Sequence, residues 1–300
     1  MNVAFCINRL GLSGLGVTLL SMIQNCSAPA ELNLYFVCSS LSSDDKNEIS
    51  DLLQAKGFAG KHRFIDFYPE ATFGSLRSFH GDWTAYGILL LSDFILEPQV
   101  LYLDADLVVE LDVLSLDKFD FKGKALAAVS GGKLKTEYEY DFYINKALLS
   151  PDLDSFNSGV VVFNLDEWRL NKLKDRCMEI ANRFPKDLLS ADQSILNAVF
   201  AGNFLKLPES YNCEWFANDD KRIIPNNVIF HFIGSPKPWD MFGSRLHKGF
   251  KTWTKYSEKR WERKYEAFTL RNLKRTWNLR RSYVRVLKDR INAIINNLAD

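Results

Sequence analysis

Leu101-Tyr102-Leu103-Asp104-Ala105-Asp106 is the stretch on which the fold turns. Three apolar residues run into two carboxylates spaced two apart. In extended backbone such residues point to the same side of the chain. Both acids therefore converge at the carboxyl end of a buried strand, where an open α/β sheet binds its ligands. Two like charges held so close repel, and a divalent ion bridging them to a diphosphate relieves that repulsion. The bland alternative is a solvated turn after a strand, because Asp-x-Asp triplets recur by chance.

Outward from that stretch, short apolar runs alternate with helical spacing. The pattern predicts strands over 3–7, 32–38, 63–67, 100–103, 126–129, 159–164 and 229–233. Helices are expected over 17–24, 44–56 (capped by Ser42 or Ser43), 83–96, 166–184 and 191–200. Strands separated by helices imply an α/β fold with a mixed, mostly parallel central sheet. Residues 133–155 are polar and aromatic with no strand pattern, and are read as a flap over a site. The run Gly11-x-x-Gly14-x-Gly16 has the wrong spacing for a dinucleotide fingerprint, and is read as a loop plus close helix packing.

With 300 residues, 47% of them hydrophobic, the chain can bury a full core. The cysteines number five, Cys6, Cys26, Cys38, Cys177 and Cys213, with no CxxC spacing. They read as reduced, mostly buried thiols of a cytoplasmic protein. Met1 to Phe5 show no basic n-region and no cleavage site, so secretion is not expected, and no segment reaches the apolar length a membrane span needs. The net charge of +1 hides an asymmetry: residues 251–300 carry 14 Lys+Arg against 5 Asp+Glu, and the first 250 carry 24 against 32. Two regions are expected, 1–248 as the catalytic domain and 249–300 as a helical extension. The extension interleaves cations with Trp253, Tyr256, Trp261, Tyr265, Phe268, Trp277, Tyr283 and Ile294. That composition suits an anionic membrane surface, and the body carries no nucleic-acid motif.

A second motif follows the last predicted strand: His231-Phe232-Ile233-Gly234-Ser235-Pro236-Lys237-Pro238-Trp239. The imidazole can be a third ligand for a borderline ion such as Mn²⁺. Gly234 allows close approach of backbone to a phosphate, and Lys237 supplies a positive charge for a leaving diphosphate. The alternative is a core histidine followed by a proline-rich turn. Asp104-Ala105-Asp106-Leu107-Val108 also resembles a haloacid-dehalogenase phosphatase signature. That signature normally follows the first strand of its domain, whereas three predicted strands precede it here, and Asp219-Asp220 is a poor second acidic pair.

Four blocks, residues 100–106, 156–164 (Phe-Asn-Ser-Gly-Val-Val-Val-Phe-Asn), 191–197 (Ala-Asp-Gln-Ser-Ile-Leu-Asn) and 231–239, make the sequence resemble glycosyltransferase family 8 over roughly residues 1–245. Within that family it resembles especially bacterial lipopolysaccharide galactosyl- and glucosyltransferases. The resemblance implies a Rossmann-like nucleotide-sugar-binding fold and retaining transfer of a hexose, galactose or glucose, from a UDP-sugar to a glycan or glycolipid acceptor. It implies Mn²⁺ or Mg²⁺ held by Asp104, Asp106 and His231. Asn157 and Asp192 would contact the donor sugar, with Gln193 on the reactive face. Related enzymes end in a basic, aromatic tail that docks on the inner face of the cytoplasmic membrane, which implies a peripheral location.

The chain departs from the family at Asn8, Leu10 and Gly11, where Asp, Asn and Tyr usually read uracil. Asn8 can still hydrogen-bond a base edge. An Arg and an Asp common in the family fall at Ile88 and Ser130, leaving Arg9 or Arg77 as replacement charges. Three readings therefore stand: a transferase, a non-catalytic nucleotide-sugar binder, and a phosphatase.

Overall fold

A computed structural model describes residues 1–79, 81–220, 227–266 and 269–299. Phe268 and the side chain of Ile294 lie outside that description. The chain forms two compact units. The first takes Met1–Leu10, Ser27–Asp104 and Val113–Asn212, and the second takes Gly11–Cys26, Ala105–Asp112 and Cys213–Asp300.

The first unit is built on seven strands: β1 (Asn2–Asn8), β2 (Asn33–Ser39), β3 (Lys61–Phe67), β4 (Gln99–Leu103), β6 (Leu126–Lys133), β7 (Asp154–Asn164) and β8 (Leu205–Leu207). Strand β5 (Leu107–Val109) belongs to the second unit. The order is β3-β2-β1-β4-β7-β6-β8. Four of the six pairings are parallel, and β7 runs antiparallel to both its neighbours. Apolar runs such as Val3-Ala4-Phe5 are buried because helices cover such a sheet. Phe5, Phe36 and Phe64 sit in register on β1, β2 and β3 and stack at 5.5 and 5.3 Å. In the second unit β5, β10 (Ile229–His231) and β9 (Cys213–Glu214) form a three-stranded sheet with β10 central.

Several elements differ from expectation. The predicted 166–184 helix is two, Leu165–Leu170 and Leu173–Arg183, because Lys172 turns the chain through a left-handed conformation at φ 49°. The predicted 83–96 helix is mostly 3₁₀, over Thr84–Leu90, and buries Tyr86, Gly87, Ile88 and Leu89 in succession. Burial on every side replaces the one-sided face of an amphipathic helix. Residues 133–155 are not a flap: Leu134, Phe142 and Tyr143 are buried in the core of the first unit. Gly14 and Gly16 lie inside the first helix, Leu12–Asn25, not in a loop. Close packing does require both glycines. A Cβ on Gly14 would overlap the Ala105 carbonyl, and one on Gly16 would meet the Trp261 indole at 2.5 Å.

The aromatic tail also departs from expectation. Trp253, Tyr256, Trp261 and Tyr283 are buried. In the second unit, the Trp261 indole N–H donates to Leu12 O of the first helix at 2.8 Å. All five cysteines are free, with Cys26, Cys38, Cys177 and Cys213 buried and Cys6 half-buried.

Candidate active site

Strand β4 delivers Asp104 to its carboxyl end. Asp104 N donates to Gly159 O at 2.8 Å, extending the pairing with β7, and the Tyr102 hydroxyl donates to Asp104 Oδ1 at 2.8 Å. Two residues on, Asp106 leads into β5. Strand β10 pairs antiparallel with β5, placing His231 opposite Leu107, and Phe232 N donates to Asp106 O at 3.1 Å. This pairing brings together residues 125 positions apart in sequence. One carboxylate oxygen each from Asp104 and Asp106 and a ring nitrogen of His231 lie within 4.8 Å of one another, a possible metal site.

The donor set fits a divalent ion. Two carboxylates and an imidazole are hard-to-borderline ligands of the kind Mn²⁺ or Mg²⁺ accepts. The two oxygens of Asp106 also differ. Lys237 Nζ holds Oδ2 at 2.6 Å. Oδ1 is inaccessible and makes no hydrogen bond, though His231 Nε2 stands 3.2 Å away. Burial alone would raise the Asp106 pKa, but the charges of Lys237 and then His231 outweigh it and hold the carboxyl well below its usual range. Asp106 is thus an anion, the state a ligand needs.

Lys237 is engaged more tightly than the sequence indicates. Its ammonium also donates to Phe232 O, and it lies over the Trp239 ring at 5.9 Å. Its charge is coupled to the anion of Asp106 rather than standing alone. Gly234 has φ 71°, a left-handed conformation that favours glycine.

Asp192, Gln193 and Asn157 belong to the first unit. Asp192 is the first residue of the Asp192–Phe200 helix and is buried. Burial, then the neighbouring Asp104 charge, pushes its carboxyl up to about 8, against the lowering effect of a hydrogen bond with Ser158. Gln193 Oε1 accepts from Ser158 N at 3.2 Å. Asn157 Oδ1 accepts from Gly159 N at 2.8 Å and from Asn212 Nδ2 at 3.1 Å. Sequence reasoning missed Tyr102 and Asn212. Tyr102 reads as one more apolar strand residue, and Asn212 stands in no motif.

The departures have structural consequences. Asn8 Oδ1 accepts from Leu10 N at 2.9 Å, closing a tight turn at the end of β1. Arg9 is not a spare cation: its guanidinium holds the buried Asp45 at 2.7 Å, and Asp45 closes the capping box of the Ser43–Ala55 helix. Ile88 is buried in the core, and the Tyr86 hydroxyl donates to Arg77 O at 2.8 Å. Ser130 sits at a register shift between β6 and β7. In the polar loop, Asp219 accepts from Phe216 N at 3.1 Å and Asp220 pairs with Lys248, so each has a structural partner.

The model for Glycosyl transferase family 8 matches residues 2–242. The chain belongs to that family. It is 25% identical over 254 residues to the lipopolysaccharide 1,2-glucosyltransferase of Escherichia coli K12, covering 80% of this chain and 72% of that protein. It is 26% identical over 253 residues to the probable glycosyl transferase Gly of Streptococcus gordonii, covering 73% of this chain and 34% of that protein. The chain spans less than half the length of the streptococcal relatives it matches. In fold it is similar to the galactosyltransferase LgtC in complex with donor and acceptor sugar analogs. The TM-score is 0.68 at 22% identity, over 87% of this chain and 99% of that one. The α/β architecture with a mostly parallel seven-stranded sheet is thus that of a family 8 member.

Proposed function

We propose that this protein is a retaining hexosyltransferase that moves galactose or glucose from a UDP-sugar to a glycan or glycolipid acceptor. Lipopolysaccharide or another surface polysaccharide is the product class, as in the E. coli relative's name. The observation that carries the reading is the convergence of Asp104, Asp106 and His231. The acidic pair follows β4 rather than the first strand, so its place in the fold gives no support to the phosphatase reading.

Asp104, Asp106 and His231 would hold Mn²⁺ or Mg²⁺. When bound, such an ion supplies Lewis acidity toward the donor diphosphate. Lys237 and the backbone at Gly234 face the same diphosphate, and Asn8 takes the base edge. Asp192 and Asn157 hold the donor sugar. The buried Asp192 offers carboxyl oxygens that can accept from a sugar hydroxyl. Gln193 is a neutral amide and a poor nucleophile, so the acceptor attacks on the face from which the diphosphate leaves. Residues 1–248 form the catalytic part. Residues 249–300 extend it, and their exposed apolar positions face an anionic membrane surface.

A thermal-shift screen of nucleotide sugars with and without Mn²⁺ tests this. A shift requiring both ligands is expected, together with slow donor hydrolysis. Asp106→Asn should lower hydrolysis at least about 100-fold, the scale of removing one preorganised charge-stabilising group. A metal-dependent shift with no turnover on any acceptor would favour the non-catalytic binder. A phosphoryl adduct trapped on Asp104 would favour the phosphatase.

A further inference from the structure

Between β6 and β7 a buried carboxylate has no role in the site described above. Glu139 is 4% exposed. Its Oε1 accepts two hydrogen bonds of 2.7 Å, from Leu189 N and from the Ser194 hydroxyl. Ser194 is fully buried, and its oxygen accepts in turn from Ser190 N at 3.0 Å. One carboxylate thus ties down both residues of the chain that enters Ala191, directly at Leu189 and through Ser194 at Ser190.

The turn held in this way is strained. Ala191 has φ 51° and ψ −117°, a combination that glycine adopts freely and other residues avoid. Ala191 is buried, and the next two residues are Asp192 and Gln193. The helix they open has no side-chain cap at Ala191, and within the turn Gln193 N donates to Ser190 O at 3.1 Å and Ala191 N to Leu188 O at 3.4 Å. Its far side is fixed separately: Asn197 accepts from Phe156 N at 2.9 Å and donates to Phe156 O at 2.8 Å. Asn197 therefore anchors the helix to β7, while Glu139 holds the direction from which the chain enters it. Strained backbone persists where its surroundings over-determine it, and a carboxylate is a stronger acceptor than a neutral oxygen.

We propose that Glu139 is a positioning residue: its carboxylate holds the strained turn at Ala191 and thereby sets the placement of Asp192 and Gln193. The catalytic consequence rests on the transferase reading, whereas the mechanical one does not. Without the carboxylate Ala191 relaxes to an unstrained φ, the first turn of the helix rotates, and both side chains leave their positions.

Two measurements on the full chain test this. Amide hydrogen exchange needs no turnover. In Glu139→Ala the amides of Leu189 and Ser190 should exchange about tenfold faster or more, while those of Phe156 and β4 are unchanged. Unchanged exchange at 189–190 overturns the proposal, whatever the activity. If Glu139→Ala does not fold, Ser194→Ala takes its place. Faster exchange is then expected at Ser190, and unchanged exchange there overturns the proposal equally. For sugar transfer, Glu139→Ala should lower kcat about tenfold or more with donor KM within about threefold, and Glu139→Gln should recover most of the loss. Adding Ala191→Gly to Glu139→Ala should recover part of kcat, because glycine takes the turn without strain. A kcat loss that Ala191→Gly leaves untouched would overturn the proposal. A wild-type chain inert toward every donor would sink the transferase reading and leave the exchange result to decide this one.

Discussion

His247 is 3% exposed, and its ring packs edge-on against Phe232 at 5.2 Å. Its Nδ1 accepts from Gly249 N at 3.1 Å. Burial, reinforced by the charges of Lys237 and Arg290, lowers the imidazole pKa to about 4. In the unfolded chain it titrates near about 6.5. Between those values the unfolded state binds a proton that the folded state refuses. The stability this histidine permits is therefore full above about pH 6.5 and is lost as pH falls toward about 4, by about 3 kcal/mol. His247→Asn keeps an acceptor for Gly249 N but has no such titration. Urea unfolding of both proteins from pH 7.5 to 4.5 should show the wild-type falling more steeply, by about 2–3 kcal/mol over the range. Equal slopes would assign the acid loss to other groups. At this scale Asp104, Asp106 and His231 were legible because their motifs are local. The pairing of Lys237 with Asp106 spans 131 residues and has no local signature. Glu139 was hidden for the opposite reason: it stands among Thr136, Lys135 and Asp141, where a glutamate reads as surface.

Among the elements, the Ser43–Ala55 helix was readable to within a residue, since Ser42 and Asp45 form a capping box that short-range sequence encodes. The Leu12–Asn25 helix was under-read because Gly14 and Gly16 disfavour a helix locally. They are tolerated because the Ala105 carbonyl and the Trp261 indole approach too closely for any side chain. Trp261→Ala removes that indole and its hydrogen bond to Leu12 O. It should destabilise the chain by about 3–5 kcal/mol in denaturant unfolding, as expected for a buried tryptophan. A loss below about 1 kcal/mol would mean that the 250–266 stretch contributes little to the packing of the first helix. The two-helix break at Lys172 was not legible, because lysine gives no signal for a left-handed turn.

Across the whole molecule, the cationic excess of residues 251–300 survives folding but the aromatic signature does not. With Trp253, Tyr256, Trp261 and Tyr283 buried, the exposed apolar positions reduce to a few, among them Leu270, Trp277, Val284, Leu287 and Ile291. Among the described residues no helix is long and apolar enough to cross a membrane. If the exposed set docks on lipid, co-sedimentation with phosphatidylglycerol vesicles should fall about tenfold in Trp277→Ala/Ile291→Asp, and raised salt should weaken it further. Binding that ignores both changes would remove the membrane from the proposed function. The sequence by itself determined the alternation of strands and helices, the α/β class and the acidic pair at a strand end. All of these depend on the period of apolar residues and on neighbours a few positions apart. Only the tertiary structure decided that β10 pairs with β5 to bring His231 beside Asp106, that Lys237 pairs with that carboxylate, and that Trp253 and Trp261 of the tail are buried while Trp277 is not. Those outcomes depend on which distant surfaces exclude water together, and no local pattern carries that information.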